Sequence, residues 1–138
     1  MPYRIAKTLS FEGGHMLSKH PGDCKYPHGH SRRVEVVLEA GSLDSNDMVC
    51  DFKLLSKAFQ DLVSAFDHSL CVNTLDPMFE TLRKAYGDKL VAFEGKDPTS
   101  EVLAKLLFDR ISVSLPLSVR LVRVRVWETA ASWAEFEA

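Results

Sequence analysis

Seven residues near the C-terminus constrain the fold more than any other stretch of the chain. Residues 121–127 read Leu-Val-Arg-Val-Arg-Val-Trp, with valine and arginine in alternation. Successive side chains of a β-strand point to opposite faces, so the three valines face one way and the two arginines face the other. The stretch therefore predicts a strand in a sheet that has one covered face.

Two further alternating stretches lie in the N-terminal half. From Tyr3 to Phe11 and from Val34 to Ala40, apolar and polar residues alternate, which indicates half-buried strands. Gly41 to Asp47 then supplies turn residues, and we expect Met48 to Cys50 to form a short returning strand.

Two amphipathic stretches predict the layer that covers the sheet. Asp51 stands at the N-cap of one helix, and Asp97-Pro98 opens a second, with Pro98 as its first helical residue. Their apolar faces are Phe52, Leu55, Phe59, Leu62 and Phe66 in the first helix, and Val102, Leu103, Leu106, Leu107 and Ile111 in the second. Residues 70–96 are less regular and predict a short helix near Pro77 to Tyr86 and a short strand around Leu90 to Phe93. This order of elements describes an antiparallel α+β sandwich.

Composition limits the chain to one domain and few kinds of partner. Of its 138 residues, 46% are hydrophobic and 26% are charged, and no repeat or linker divides residues 1–138. No apolar run approaches the roughly 20 residues of a membrane span, and the N-terminus lacks the apolar region of a signal peptide. We therefore expect a cytoplasmic protein without a membrane partner. The net charge of −2 argues against nucleic acid, and the three cysteines are expected to be free thiols.

Four of the five histidines fall close together, as His15, His20, His28 and His30. If the two N-terminal strands extend to include them, strand parity points His15, His28 and His30 to the covered face. A bulge at Gly13-Gly14 would reverse the facing of His15. Three converging imidazoles suit a zinc ion and leave its fourth position open, as in catalytic sites. The alternative is that these are polar loop residues, which is our interpretation of His20.

Cys24 lies in the segment between these histidines. A nearby metal and the adjacent Lys25 would lower the pKa of its thiol and make a thiolate available as base or nucleophile. The alternative is a loop cysteine without a role. Cys50 and Cys71 stand among apolar residues and are predicted to be small core residues.

Two acidic residues further along extend the candidate site. Asp67 precedes His68 at the end of the first predicted helix, where the pair could relay a proton or simply place a histidine at the negative end of the helix. Glu128 shares the parity of the valines in the last strand, which puts a carboxylate on an apolar face. A buried carboxylate requires partners, and its two oxygens could accept a pair of N–H groups from a flat heterocycle. The alternative is a frayed strand end with a solvated Glu128.

Taken together, these residues resemble a known family. The 6-pyruvoyl-tetrahydropterin synthase and 6-carboxy-tetrahydropterin synthase family has the same elements in the same order, here His15, Cys24-x3-His28-Gly-His30, Asp51-Phe52, Asp67-His68, Pro98-Thr-Ser-Glu101 and Glu128-Thr129. The three residues between Cys24 and His28 are similar to the bacterial 6-carboxy branch, which feeds 7-deazaguanine and queuosine synthesis. The resemblance covers nearly the whole chain.

The resemblance implies three roles for the candidate residues. The implied zinc ligands are His15, His28 and His30; the implied catalytic residues are the thiolate base Cys24 and its relay, Asp67 and His68; and the implied pterin-binding residues are Glu128, Thr99, Ser100 and Glu101. The implied reaction converts 7,8-dihydroneopterin triphosphate to 6-carboxy-5,6,7,8-tetrahydropterin, with release of triphosphate and acetaldehyde. The family fold, called the tunnelling fold, is a four-stranded antiparallel sheet with two helices packed on one face. It implies a homotrimer or homohexamer with sites at subunit interfaces.

Other functions are compatible with the same residues. Within the family these are the 6-pyruvoyl reaction and a relative that cleaves the dihydroneopterin side chain. A non-catalytic zinc- or pterin-binding module is a different class, against which Cys24 and His68 weigh because binding alone needs neither. A metal-free Cys-His-Asp hydrolase leaves three inward histidines unexplained. The chain also has Ser31-Arg32 where the family often has Asn-Tyr, and residues 74–96 look longer than in compact members.

Overall fold

A long antiparallel hairpin forms the centre of the molecule. In the computed structural model, which describes residues 2–138, strand β1 (Tyr3–Met16) pairs with strand β2 (His28–Ala40) in one continuous register from Tyr3 opposite Ala40 to His15 opposite His28. Both strands are longer than the alternating stretches predicted, because the pairing continues through Gly13 and Gly14 without a bulge. Strand parity therefore holds along the whole hairpin.

The remaining elements follow in chain order. Helix α1 spans Ser56–Phe66, strand β3 Ser69–Asn73, helix α2 Phe79–Tyr86, strand β4 Leu90–Phe93, helix α3 Ser100–Ser112, strand β5 Arg120–Trp127 and strand β6 Trp133–Glu137. The strands form one sheet in the order β4-β3-β1-β2-β5-β6. The α+β class and the two helices on one face are confirmed.

The sheet differs from the prediction in the number of its strands and in their relative directions. It has six strands instead of four, and it is mixed instead of antiparallel because β3 runs parallel to both β1 and β4. Met48 to Cys50 is not a strand, since Asp44 turns the chain there by accepting hydrogen bonds from the backbone N–H groups of Asn46 (2.8 Å) and Met48 (3.0 Å). Strand β3 was not predicted, whereas the strand predicted at Leu90–Phe93 is present as β4.

The helices also depart from prediction in detail. The helix predicted after Asp51 opens as a 3₁₀ turn at Phe52–Leu55, and the Asp51 carboxylate accepts a bond from the Lys53 N–H. Pro98 is not the first residue of α3, because Thr99 is the N-cap and its hydroxyl accepts a bond from the Val102 N–H at 3.2 Å. The third helix, α2, packs over β3 and β4 in a small core of its own.

The main core lies between the inner face of the sheet and helices α1 and α3. It includes Val34, Val36, Leu38, Phe59, Leu62, Phe66, Leu103, Leu107, Ile111, Val124 and Val126. Cys50 and Cys71 are buried as predicted. The main core covers the face of the hairpin toward which the histidines point.

Within residues 2–138, no helix is long and apolar enough to cross a membrane.

Candidate metal centre and active site

The hairpin register brings three histidines together. His15 lies directly opposite His28, and His30 follows two residues later on the same face of β2. The ring centroids are 4.5 Å apart for His15 and His28 and 5.0 Å apart for each pair that includes His30. These are the three residues that the sequence predicted to converge.

A carboxylate joins the three rings. Glu128 follows the end of β5, and its Oε1 atom lies 3.1 Å from His30 Nε2 and 3.7 Å from His15 Nε2. One potential ligand atom from each of the four residues lies within 4.8 Å of the others. We refer to His15, His28, His30 and Glu128 as the metal group. Glu128 thus faces inward, as its parity predicted.

Two backbone carbonyls fix the orientation of the rings. His15 Nδ1 lies 2.8 Å from the Pro98 carbonyl oxygen, and His28 Nδ1 lies 2.8 Å from that of Tyr26. A carbonyl only accepts hydrogen bonds, so each Nδ1 carries a proton and donates it. The Nε2 atom of each ring then has a free lone pair, which is the arrangement that second-shell partners give to metal-ligating histidines.

These free lone pairs have no partner within the described chain. The Nε2 atoms of His15, His28 and His30 are all buried and none makes a hydrogen bond within residues 2–138, while the Glu128 carboxylate lies 3.1 Å from the one on His30. Buried polar atoms without partners are rare and call for a ligand or an ion. Three nitrogen donors beside one carboxylate fit zinc, for which imidazole and carboxylate are usual ligands.

Burial favours the neutral form of two of the imidazoles. Desolvation lowers the pKa of His15 to about 4, and the positive charge of Arg32 and the other two histidines act in the same direction, while the bond to Pro98 opposes them. Desolvation likewise lowers the pKa of His30, against the opposing effect of Glu128. Neutral imidazole is the form that binds a metal, so burial of His15 and His30 favours the metal-binding form.

His20 lies outside this group. It is exposed, and its Nδ1 accepts a hydrogen bond from the Gly22 N–H at 2.9 Å within the same loop. The loop itself is tied to the rest of the fold by Asp97, whose buried carboxylate accepts bonds from the N–H groups of Ser18 (3.1 Å) and Lys19 (2.8 Å).

Cys24 lies further along the same loop. It is half-buried within the 3₁₀ turn Asp23–Lys25, and its carbonyl accepts a hydrogen bond from the Leu17 N–H at 2.9 Å. Across the chain from residue 2 to residue 138, no hydrogen bond joins it to Asp67 or His68. The structure therefore shows no hydrogen bond between the predicted thiolate and its predicted relay within one chain.

Asp67 and His68 do contact each other. Asp67 Oδ2 lies 2.9 Å from His68 Nδ1, and Asp67 Oδ1 accepts a bond from the Glu12 N–H at 2.9 Å. The hydrogen bond from the Glu12 N–H, and to a smaller extent the one from His68, lowers the pKa of the Asp67 carboxyl. The His68 side chain is 74% exposed, and an open pocket of about 310 Å³ is lined by both His68 and His30. We refer to Cys24, Asp67 and His68, for which the resemblance implies acid–base roles, as the proton-transfer group.

The start of helix α3 contributes one residue to the metal group's surroundings. Ser100 is buried, and its Oγ lies 3.4 Å from Glu128 Oε2. Thr99 uses its hydroxyl to cap the helix, and Glu101 is exposed in the first turn. Of the three residues predicted to line a pterin pocket here, Ser100 is the one that contacts Glu128.

Sequence reasoning missed Arg32. Its side chain is buried, with NH1 3.0 Å from Ser100 Oγ and NH2 3.1 Å from His15 Nδ1. Burial lowers the pKa of Arg32, and the negative charge of Glu128 opposes the shift. The signal was present, because Arg32 has the parity of His28 and His30 and so stands as a charged residue on the covered face.

Solved structures share the whole architecture. An uncharacterized protein from Wolinella succinogenes superposes with a TM-score of 0.87 at 24% identity, over 99% of this chain and 98% of that one. A 6-pyruvoyltetrahydropterin synthase from Plasmodium vivax superposes with a TM-score of 0.77 at 15% identity, over 100% of this chain and 98% of that one. The fold of such synthases is therefore the fold of this chain.

Sequence comparison establishes the family. The model of the 6-pyruvoyl tetrahydropterin synthase family matches residues 4–138, so the chain belongs to that family of pterin-processing enzymes. A 6-carboxy-5,6,7,8-tetrahydropterin synthase from Aquifex aeolicus is 32% identical over 160 residues, with 99% of each chain covered. A protein of the same name from Haemophilus influenzae is 27% identical, over 98% of this chain and 99% of the other. The resemblance described from the sequence is confirmed.

Proposed function

We propose that the chain is a zinc-dependent lyase that converts 7,8-dihydroneopterin triphosphate to 6-carboxy-5,6,7,8-tetrahydropterin, with release of triphosphate and acetaldehyde. The observation that carries the proposal is the convergence of three buried, partnerless Nε2 atoms beside the Glu128 carboxylate. The names of the Aquifex aeolicus and Haemophilus influenzae relatives support the 6-carboxy product.

Each part of the site has a distinct task in this proposal. His15, His28 and His30 hold the ion, which when bound would acidify the hydroxyl groups of the substrate side chain. Cys24 moves a proton at the carbon next to those hydroxyls, and the Asp67–His68 pair supplies and accepts that proton. The short distance between Asp67 and His68 supports the relay, because the carboxylate fixes the orientation of the ring.

Glu128 is proposed to hold the pterin ring. Its side chain is 35% exposed, so the carboxylate lies at the edge of the buried group and can be reached by a ligand. Two carboxylate oxygens can accept the adjacent amino and ring N–H groups of a pterin as a bidentate pair. Ser100 contacts Oε2 directly, and we place Thr99 and Glu101 along the same pocket wall.

The active site is proposed to form between copies of the chain in a homotrimer or homohexamer. No hydrogen bond joins Cys24 to the Asp67–His68 pair within residues 2–138, and the His68 side chain, which contacts Asp67, is largely exposed. A second copy can present its own Cys24 or His68 across an isologous or ring-forming contact. We expect the protein to act in the cytoplasm, where its thiols would stay reduced.

Product identification tests the proposal. Zinc-loaded protein is incubated with dihydroneopterin triphosphate while pterin product mass, triphosphate and acetaldehyde are followed. We expect a carboxy-pterin and acetaldehyde from the unmodified protein and neither from Cys24→Ala, with His20→Ala as a matched control from the same loop. Absence of turnover by zinc-loaded protein would overturn the proposed activity.

The 6-pyruvoyl reaction is the second candidate. It is favoured by the name of the matching family model and of the Plasmodium vivax structure. The same experiment separates the two reactions, because the 6-pyruvoyl reaction retains all side-chain carbons and releases no acetaldehyde. A pyruvoyl product would replace the 6-carboxy assignment.

A further inference from the structure

A buried cation stands in the wall of the candidate site. Arg32 is 4% exposed and lies on the inner face of β2, two residues after the proposed ligand His30. Burial of a guanidinium is costly unless its donors and its charge are met by partners. The partners that Arg32 has therefore show what it is placed to do.

Only one of its two close contacts is a hydrogen bond to a free acceptor. NH1 donates to Ser100 Oγ at 3.0 Å. NH2 lies 3.1 Å from His15 Nδ1, but that nitrogen already donates its proton to the Pro98 carbonyl and offers no lone pair. Among residues 2–138, no carboxylate lies within 4.0 Å of the guanidinium, so Arg32 has no direct ion pair.

The nearest acidic group is reached through Ser100. Ser100 Oγ lies 3.4 Å from Glu128 Oε2, and Glu128 is the carboxylate whose charge acts on Arg32. A hydroxyl has one proton to donate, and the Arg32 N–H approaches its oxygen as a donor. The Ser100 proton is therefore directed toward Glu128, which gives a chain of donors from Arg32 to Ser100 to Glu128.

We propose that Arg32 is a positioning residue for the pterin ring, which acts through Ser100 to orient the Glu128 carboxylate toward the ring N–H groups. The inference rests on the proposed function, since Glu128 is the proposed ring anchor. Bidentate acceptance requires both oxygens in one plane with the donors. Ser100 restrains Oε2 while Oε1 lies 3.1 Å from His30 Nε2, so contacts at both oxygens fix the plane of the carboxylate.

Ring binding measured apart from turnover tests this role. The probe is 7,8-dihydroneopterin, which has the ring without the triphosphate, titrated into zinc-loaded protein by fluorescence with zinc content measured on the same samples. We expect Arg32→Met and Ser100→Ala each to raise Kd about tenfold, the size of one charge-assisted hydrogen bond, with zinc content unchanged. The double variant should bind no more weakly than either single variant, because both changes break the same chain.

Two comparisons make the test specific. Arg33→Met is the matched control, because Arg33 is the next residue, exposed and stacked over Trp127 at 4.2 Å, and it should bind the ring as the unmodified protein does. Arg32→Lys keeps one donor for Ser100 and should recover most of the affinity. If Arg32→Met does not fold, Ser100→Ala tests the chain of donors by itself, with Arg33→Met as its control.

Three results would overturn the inference. These are an unchanged Kd in Arg32→Met, additive losses in the double variant, and a loss of affinity that follows a loss of zinc. Failure of the proposed function would look different, since it appears as absent turnover or another product from the unmodified protein. If that protein also does not bind the ring, the inference falls with the function on which it rests.

Discussion

The metal group and the proton-transfer group are built in opposite ways. The four residues of the metal group come from β1, β2 and the end of β5, and their ligand atoms lie within 4.8 Å of one another inside one chain. The proton-transfer group is split between a loop that holds Cys24 and an exposed pair, Asp67 and His68, to which no hydrogen bond joins Cys24 within residues 2–138. One chain therefore brings the metal group together but does not link the members of the proton-transfer group.

Register explains the difference. Antiparallel pairing places His15 opposite His28, and the two-residue period of the strand puts His30 on the same face as His28. The backbone hydrogen bonds of the hairpin are therefore sufficient to bring the three imidazoles together. Nothing comparable ties the Cys24 loop to the end of α1. The comparison teaches that the convergence of the metal group is a property of the fold, whereas we expect the proton-transfer site to be a property of the assembly.

Removal of one histidine should have the largest effect. His28→Ala takes away a nitrogen whose orientation is fixed by Tyr26, and we expect zinc binding to weaken by more than about 100-fold, since outer-shell partners alone are worth 10- to 100-fold. Turnover should fall below detection. Zinc content by mass spectrometry and acetaldehyde release measure the two effects.

The matched control for that change is His20→Ala. His20 belongs to the same histidine-rich segment but lies outside the metal group, so its zinc content and turnover should stay at the level of the unmodified protein. Equal zinc content in His28→Ala and in the unmodified protein would break the comparison, because the metal group would then not be where zinc binds.

Mixing two inactive variants should have the next largest effect. Cys24→Ala and His68→Ala are each expected to lower turnover by about 100-fold or more, the usual contribution of acid–base groups, without loss of zinc. If a site takes Cys24 from one copy and His68 from another, random co-assembly leaves about one quarter of the sites intact. Turnover after the two variants are unfolded together and refolded measures the recovery.

Refolding each variant alone is the control, and neither should gain activity. Recovery in the mixture sharpens the contrast between the two groups, since it can arise only if the proton-transfer group is shared. An active-site set that belongs to one chain would give no recovery, and it would require Cys24 to reach His68 by movement of its loop.

The sequence was most informative where side chains alternate. The valines of β5 and the parity of β2 predicted the covered face and, with it, the facing of His28, His30 and Glu128. Strand β3 was missed because its residues lie at the buried interior of a parallel pairing and show no alternation. Strand β6 was missed because it is short and half-exposed at the sheet edge, where packing imposes little pattern.

The candidate site was predictable to the same extent as the fold, because both predictions depend on strand parity. Parity identifies which side chains share a face, so the three histidines and Glu128 could be grouped before any coordinates. Arg32 has that parity too, but an arginine at an inward-facing position of a strand indicates no function unless its partner is known. Its partner, Ser100, lies 68 residues away at the start of α3, and only the packing of that helix brings them together.

The smallest expected effect separates two thiols by their surroundings. Cys71 pairs in register with His15 but is buried, and burial raises the pKa of its thiol from 9.0 to about 11, whereas Cys24 is half-buried in its loop. At pH 8 we expect iodoacetamide to modify Cys24 at least about tenfold faster than Cys71, because the thiolate is the reactive form. Between about pH 9 and pH 11 only the unfolded chain loses the Cys71 proton. The free energy of unfolding is therefore expected to stay constant below pH 9 and to fall as the pH rises toward 11. Peptide mapping of the alkylated protein measures the rates, and equal rates would show that the core around Cys71 opens as readily as the Cys24 loop.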